Sequence, residues 1–361
     1  MKKVQVELRE RSYTIHIDHG CLDQLGQSLE GFGFSSKAAL ITNPTVDALY
    51  GDRARKSLQE AGFDVITAVM QDGEEYKNLD TVSSLWDQLL SHQLDRKSPV
   101  VALGGGVAGD VAGFVAATYM RGIPFIQVPT TLLAQVDSSV GGKVGIDHAE
   151  GKNLIGAFYQ PRLVWIDSAT LDTLDEREIR CGLAEVVKYG VIADADFFAY
   201  LEEKIEDILQ LKPEAMNQVI QRCCQIKADV VSRDEQEGGL RAILNFGHTI
   251  GHAFEALGGY RGLKHGEGVS IGMLSETLLA VEMDLAGREC LERQEKLLQR
   301  IGLPVKAPRM DTGRLIQLMT MDKKARQGKI HIILPKKIGE VMLPQPVEAD
   351  RIQPLLEKIM E

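Results

Sequence analysis

The chain has 361 residues, 44% of them hydrophobic, which is enough to bury a sizeable core and favours two domains over one or three. A formal net charge of -10 argues against a nucleic-acid or anionic-membrane partner, because either needs a broad basic surface; an anionic ligand must then be small and held in a local basic pocket. Five cysteines, Cys21, Cys181, Cys223, Cys224 and Cys290, are odd in number and form no C-x-x-C pair, which points to a reducing cytoplasm and away from a disulfide framework or a thiolate zinc site.

In chain order, residues 4–8 and 13–17 are predicted to pair as an antiparallel hairpin, and their alternation of apolar with polar positions is not that of a signal peptide. Short β-branched runs at 38–42, 65–70 and 100–103 then alternate with amphipathic stretches at 45–61 and 79–92, and further strands are predicted at 125–128 and 163–166. That alternation predicts an α/β layer with a largely parallel sheet. The longest apolar run, 103–120, is interrupted by Asp110 and rich in glycine, so it reads as a buried turn and helix and not as a membrane span. Beyond about residue 173 the periodicity becomes helical, at 183–191, 214–232, 243–257, 269–285 and 291–301. The expected organisation is an α/β domain over 1–175 followed by a mainly helical domain over 176–361.

Two stretches carry chemistry. Gly104, Gly105 and Gly106 follow a buried strand and lead into a helical pattern holding Asp110. Such glycines make either a tight strand-to-helix turn or a cradle of amide N–H groups for a pyrophosphate. The spacing is not G-x-G-x-x-G, so an ordinary Rossmann domain is not expected, while Pro129, Thr130 and Thr131 after the next strand offer hydroxyls to a phosphate or ribose. In the second stretch, residues 241–255, a helix would stack His248 and His252 on one face, with Glu255 below and Asn245 and Arg241 above. Thr249 stands where a zinc-protease motif needs Glu, so hydrolysis by that route is not expected. Two such histidines are either hydrogen-bonded structure or metal ligands; His265 could add a third nitrogen and Glu185 an oxygen, leaving positions open for a substrate's hydroxyls. Lys143, Lys152, Asn153 and Lys188 lie near these motifs and would focus positive charge for a phosphate and a carboxylate.

Seven motifs in order over about residues 40–335, among them GGGVAGD, TYMRG, VDSSVGGK, LAEVVKYG and NFGHTIGHA, resemble the 3-dehydroquinate synthase family. The resemblance implies an N-terminal nucleotide-binding domain, a helical metal domain and, as is usual in the family, a homodimer. It implies zinc or cobalt held by Glu185, His248 and His265, with His252 on the substrate instead. Lys143, Asn153, Lys188, Lys227, Arg241, Asn245 and Asp137 would line the substrate pocket, Arg121 would reach the phosphate of the neighbouring subunit's substrate, and a lysine of 322–329, with Lys329 favoured, would also reach the phosphate. For NAD it points to Glu74, Lys77, Gly105, Gly106, Val107, Asp110, Thr130, Thr131, Asp137, Lys143 and Lys152. Asn43 stands where some relatives carry an acid for the adenosine ribose, so 2'-phosphate is excluded less firmly. The implied reaction turns 3-deoxy-D-arabino-heptulosonate 7-phosphate into 3-dehydroquinate and phosphate by transient oxidation, β-elimination, re-reduction and aldol closure. Alternatives are another sugar-phosphate cyclase, or a metal- and NAD-dependent polyol or glycerol-phosphate dehydrogenase.

Overall fold

A computed structural model describes residues 1–259, 262–321 and 329–360. In chain order the first elements are β1 (Lys2–Val6), β2 (Tyr13–Asp18), α1 (Leu25–Ser28), β3 (Lys37–Thr42), α2 (Pro44–Val46), α3 (Asp52–Glu60), β4 (Asp64–Val69), α4 (Leu79–Ser91), β5 (Val100–Gly104) and α5 (Gly106–Thr118). After them come β6 (Phe125–Pro129), β7 (Lys143–His148), β8 (Gly151–Phe158) and β9 (Leu163–Asp167). The helical part contains α6 (Glu176–Ala193), α7 (Ala195–Leu209), α8 (Pro213–Arg233), α9 (His248–Leu257), α10 (His265–Glu282), α11 (Arg288–Ile301), α12 (Thr312–Met321) and, after short strands at Ile330–Ile332, Pro335–Lys337, Glu340–Val341 and Gln345–Val347, α13 (Ala349–Ile359). The class is α/β with a helical C-terminal part, as expected.

The first compact unit comprises Met1–Leu174 and Pro213–Ser232. Its seven-stranded sheet runs β1-β2-β9-β6-β5-β3-β4; only the β1–β2 pair is antiparallel. β5, β6 and β9 are buried throughout because helices cover both faces, as parallel sheets require. The period-2 alternation sorts their side chains: Ile41, Val100, Ala102 and Phe125 pack with Val82, Leu85 and Leu89 of α4 and Val111 and Val115 of α5. Leu40, Val101, Leu103 and Ile126 face the other way onto Leu25, Ala54 and Leu58.

The second unit comprises Asp175–Lys212 and Arg233–Glu361. Its core gathers Ile250 and Phe254 of α9, Ile271 and Leu279 of α10, and Ile352, Leu355 and Leu356 of α13. Residues 213–232, within the expected 176–361 domain, group by their contacts with the first unit; a helical period cannot reveal which core a helix joins. All five cysteines are free and buried, and burial pushes the Cys224 thiol up to about 12. Among the described residues no helix is long and apolar enough to cross a membrane.

Two predicted helices are divided. In place of one helix over 45–61, Asn43 caps α2 through Oδ1, which accepts from Val46 N at 2.9 Å, and a π-turn over Asp47–Gly51 precedes α3. In place of one helix over 243–257, a 3-10 turn over Leu240–Asn245 ends at Gly247, whose φ of 79° is left-handed, and α9 begins at His248. The β7–β8 hairpin and α7 were not anticipated. β8 is mostly exposed, so it lacks the buried alternation by which strands are read.

Candidate functional site

In the second unit, three helices converge on one point. α6 presents Glu185, 1% exposed, with Lys188 one turn on in an ion pair with it. α9 carries His248 and His252, and α10 opens on His265. α9 and α10 can approach only because glycine lines the contact: a Cβ on Gly251 would lie 2.6 Å from Gly268 O, and one on Gly272 would lie 1.8 Å from Gly247 O. The first turn of α10 is tied to α6 by Glu267, which accepts from Lys264 N at 2.9 Å and from Arg177 Nε and Nη2 at 2.6 and 2.8 Å. Helix ends fixed this way leave little freedom for the side chains they carry.

Ring nitrogens of His248, His252 and His265 come within 4.8 Å of one another. Glu185 Oε1 stands 3.5 Å from His248 Nε2 and 3.4 Å from His265 Nε2. The opposite nitrogens are engaged elsewhere: His248 Nδ1 lies 3.0 Å from Phe246 O, and His265 Nδ1 lies 3.3 Å from Glu255 Oε1. Both imidazoles therefore turn Nε2 toward the Glu185 carboxylate, an arrangement that fits a divalent metal taking oxygen and nitrogen donors. Burial presses His248 well below its ordinary pKa, despite Glu185 beside it. Burial also opposes a charge on His265, but Glu185 and Glu255 outweigh it and lift that imidazole to about 10. Two acids facing one imidazole make a strongly cation-seeking pocket.

Arg241 and Asn245 do not share the helix of His248, because Gly247 breaks it. Arg241 is buried in the preceding turn, where its Nη1 donates to Glu235 O at 2.6 Å. The turn is organised by Asp234, whose carboxylate accepts from the amides of Gly238, Gly239 and Arg241 at 2.7, 2.8 and 2.8 Å. Asn245 Nδ2 donates to Glu237 Oε1 at 3.4 Å. Lys329 is held in an exposed pair with Glu348 at 2.9 Å, and the other lysines considered for the phosphate, at 323 and 324, lie outside the described residues.

In the first unit, Gly105 and Gly106 start α5 beside Thr131 and Ser138, and Thr130 N donates to Gly104 O at 2.9 Å. Val107 and Asp110 sit on the opening turns of α5, both half-buried. Lys77 is buried with its Nζ donating to Asp110 Oδ2 at 2.6 Å and to Asn153 Oδ1. Burial opposes the Lys77 charge, but Asp110, and Glu74 and Asp147 beyond it, raise the ammonium above its ordinary range. Lys152 pairs with Glu74 at 3.0 Å. Asp137 lies in a π-turn over Ala134–Ser138, where its O and Oδ1 receive Lys227 Nζ of α8 at 2.8 and 2.9 Å. Lys143, exposed, opens β7. Arg121 is exposed on a left-handed turn, with φ of 49°, 68° and 115° at Met120, Arg121 and Gly122.

Asp234 and Glu276 were missed by sequence reasoning. Glu276 is fully buried on α10 and accepts from Gly247 N at 2.8 Å, fixing the residue before His248. An acid interrupting the apolar face of a helix was the available signal. Asp234 offered none, since loop acids are common.

Models of the 3-dehydroquinate synthase N-terminal and C-terminal regions match residues 67–181 and 182–325. A 3-dehydroquinate synthase of Nostoc punctiforme is 50% identical over 98% of each chain. Among solved structures, a 2-deoxy-scyllo-inosose synthase with carbaglucose-6-phosphate, NAD+ and Co2+ bound is 27% identical, covering 99% of this chain and 100% of that one with a TM-score of 0.91. The 2-epi-5-epi-valiolone synthase of Streptomyces hygroscopicus, with NAD+ and Zn2+ bound, is 28% identical over 98% of both chains with a TM-score of 0.88. Sharing half its residues with such a relative end to end, and matched by consecutive models on either side of residue 181, this chain belongs to the 3-dehydroquinate synthase family.

Proposed function

We propose that this chain converts 3-deoxy-D-arabino-heptulosonate 7-phosphate into 3-dehydroquinate and inorganic phosphate, using NAD and one zinc or cobalt ion. The observation that carries the reading is the convergence of Glu185, His248 and His265, with each imidazole's other nitrogen already engaged, in a chain of this family. NAD supplies a reversible hydride acceptor when bound, and the divalent ion a Lewis acid for a hydroxyl losing its proton.

The residues divide the work by charge. Gly105, Gly106 and Val107 offer backbone amides at the start of α5, and Thr130 and Thr131 offer hydroxyls, to the cofactor's phosphates. Asp110, Lys77, Glu74 and Lys152, already paired among themselves, hold the ribose and pyrophosphate edges with little net charge. Asn43 spends Oδ1 on capping α2, which leaves Nδ2 to donate to a ribose oxygen. Lys143, Asn153, Lys188, Lys227, Arg241 and Asn245, with Lys329, balance the substrate's carboxylate and phosphate, while His252 and Asp137 contact its hydroxyls. Glu185, His248 and His265 hold the ion.

The working form is a homodimer in which Arg121 serves the neighbouring subunit's phosphate. Its left-handed turn is held by Tyr159, the residue after β8, whose hydroxyl donates to Ile123 O at 2.6 Å, and Leu154, Ile155 and Phe158 stand exposed on that strand. Such an apolar edge strand favours a second copy of the chain as its cover.

One assay tests the reaction. Purified protein with Co2+, catalytic NAD and the heptulosonate phosphate should release inorganic phosphate with no lasting NADH absorbance. Lasting NADH without phosphate would instead indicate a dehydrogenase, and no turnover with this substrate but phosphate release from another sugar phosphate would indicate a different cyclase.

A further inference from the structure

Glu255 has no part in the reaction above, yet its surroundings are built around it. It lies on α9 one turn beyond His252, and helical spacing alone would set it beneath that residue. Its carboxylate turns instead to the neighbouring helix, with Oε1 3.3 Å from His265 Nδ1. Residue 268 is glycine where any side chain would strike this acid: an added Cβ would lie 2.8 Å from Glu255 Oε1 and 3.1 Å from its Cγ. Glu255 is 7% exposed, and a carboxylate so buried is costly unless it meets a positive or donating partner.

We propose that Glu255 is a positioning residue of the metal centre, whose carboxylate receives the Nδ1 proton of His265 and so keeps the Nε2 lone pair aimed at the ion beside Glu185. This rests on the metal reading of Glu185, His248 and His265. The two imidazoles are then unequal by design. His248 Nδ1 meets a neutral carbonyl, Phe246 O, whereas His265 Nδ1 faces an anion 3.3 Å away, which makes His265 the stronger donor to the metal. Glu255 thereby sets how tightly the ion is held without touching it, and Gly268 keeps the space it needs.

The test is a Co2+ titration of the full chain, followed by visible absorption and by competition with a chelator, on wild type, Glu255→Gln, Glu255→Asp and His248→Ala. Gln keeps the size and an accepting oxygen but loses the charge, so Glu255→Gln should bind Co2+ about 10 to 100-fold more weakly, with a shifted absorption band and an unchanged melt of the metal-free protein. Glu255→Asp keeps the charge but withdraws it by one methylene, and should fall between. Co2+ affinity within threefold of wild type in Glu255→Gln, while His248→Ala loses the ion, would overturn the positioning role alone. Wild-type affinity in His248→Ala would overturn the metal reading beneath it. If Glu255→Gln fails to fold, Glu255→Asp decides: weakened binding in a folded protein supports the role, and wild-type binding refutes it.

Discussion

Gly272→Ala adds a single carbon where α9 and α10 have no room for one. The new Cβ would stand 1.8 Å from Gly247 O, 2.7 Å from Gly247 C and 3.0 Å from Gly251 N. Relaxing the first contact to about 3.2 Å requires roughly 1.4 Å of movement, and because the obstacle is backbone, no rotamer change can supply it. The helices must part, carrying His248 and His252 away from His265. Metal-ligand distances tolerate only about 0.2 Å, so Co2+ affinity should fall by at least tenfold. Overpacking of this kind costs about 1–3 kcal/mol, and a clash with backbone belongs at the upper end. Urea unfolding of the metal-free protein, followed by circular dichroism, reads the stability; a Co2+ titration reads the site. Gly287→Ala is the control, since its Cβ would meet nothing within 4 Å. A Gly272→Ala protein that unfolds within about 0.5 kcal/mol of wild type and keeps its Co2+ affinity would refute the claim that this contact gathers the histidines.

Lys77→Met strands the Asp110 carboxylate; breaking a buried pair costs about 3–5 kcal/mol, and with Asp110 22% exposed the loss should sit at or below the lower end, with Lys77→Met/Asp110→Leu regaining part of it in urea unfolding. Asp234 is held below its ordinary pKa, first by the Arg241 amide and then by those of Gly238 and Gly239. Its contribution is therefore full above the unfolded value of about 3.9 and lost as pH falls through the lower folded value. Asp234→Ala should remove that acid-dependent step and speed hydrogen exchange at Gly238 and Gly239 at neutral pH; unchanged exchange would count against the loop's reliance on this carboxylate. His248→Ala should abolish metal retention, while His252→Ala keeps metal and loses turnover; equal metal loss in both would remove His252 from its role on the substrate. Arg121→Ala should weaken substrate binding and recover some activity when mixed with a separately inactivated subunit, and no recovery in mixed dimers would mean that Arg121 serves its own subunit.

Where a residue's environment repeats with the period of its own element, the sequence alone was sufficient. The parallel strands were legible because residues 38–42, 100–103 and 125–128 are short, mainly apolar runs, broken only by Thr42 and Gln127, and burial on both faces makes such runs stable. His248 and His252 were legible as one face because a helical turn separates them. Gly104–Gly106 were legible as a turn from a buried strand into a helix because glycine lets the backbone bend there without a side chain in the way.

Tertiary structure decided everything that depends on which elements meet. No period in the sequence links Glu185 to His265, or Lys227 to Asp137 ninety residues earlier; those pairs exist because helices far apart in the chain pack together. Nor could spacing show that α8 joins the first unit, that Gly247 severs Arg241 and Asn245 from the helix of His248, or that Glu255 turns across to His265. A linear pattern records which face of an element is buried, but the partner on the other side is chosen by shape and charge in three dimensions, and at this site by glycines that let two helix backbones touch.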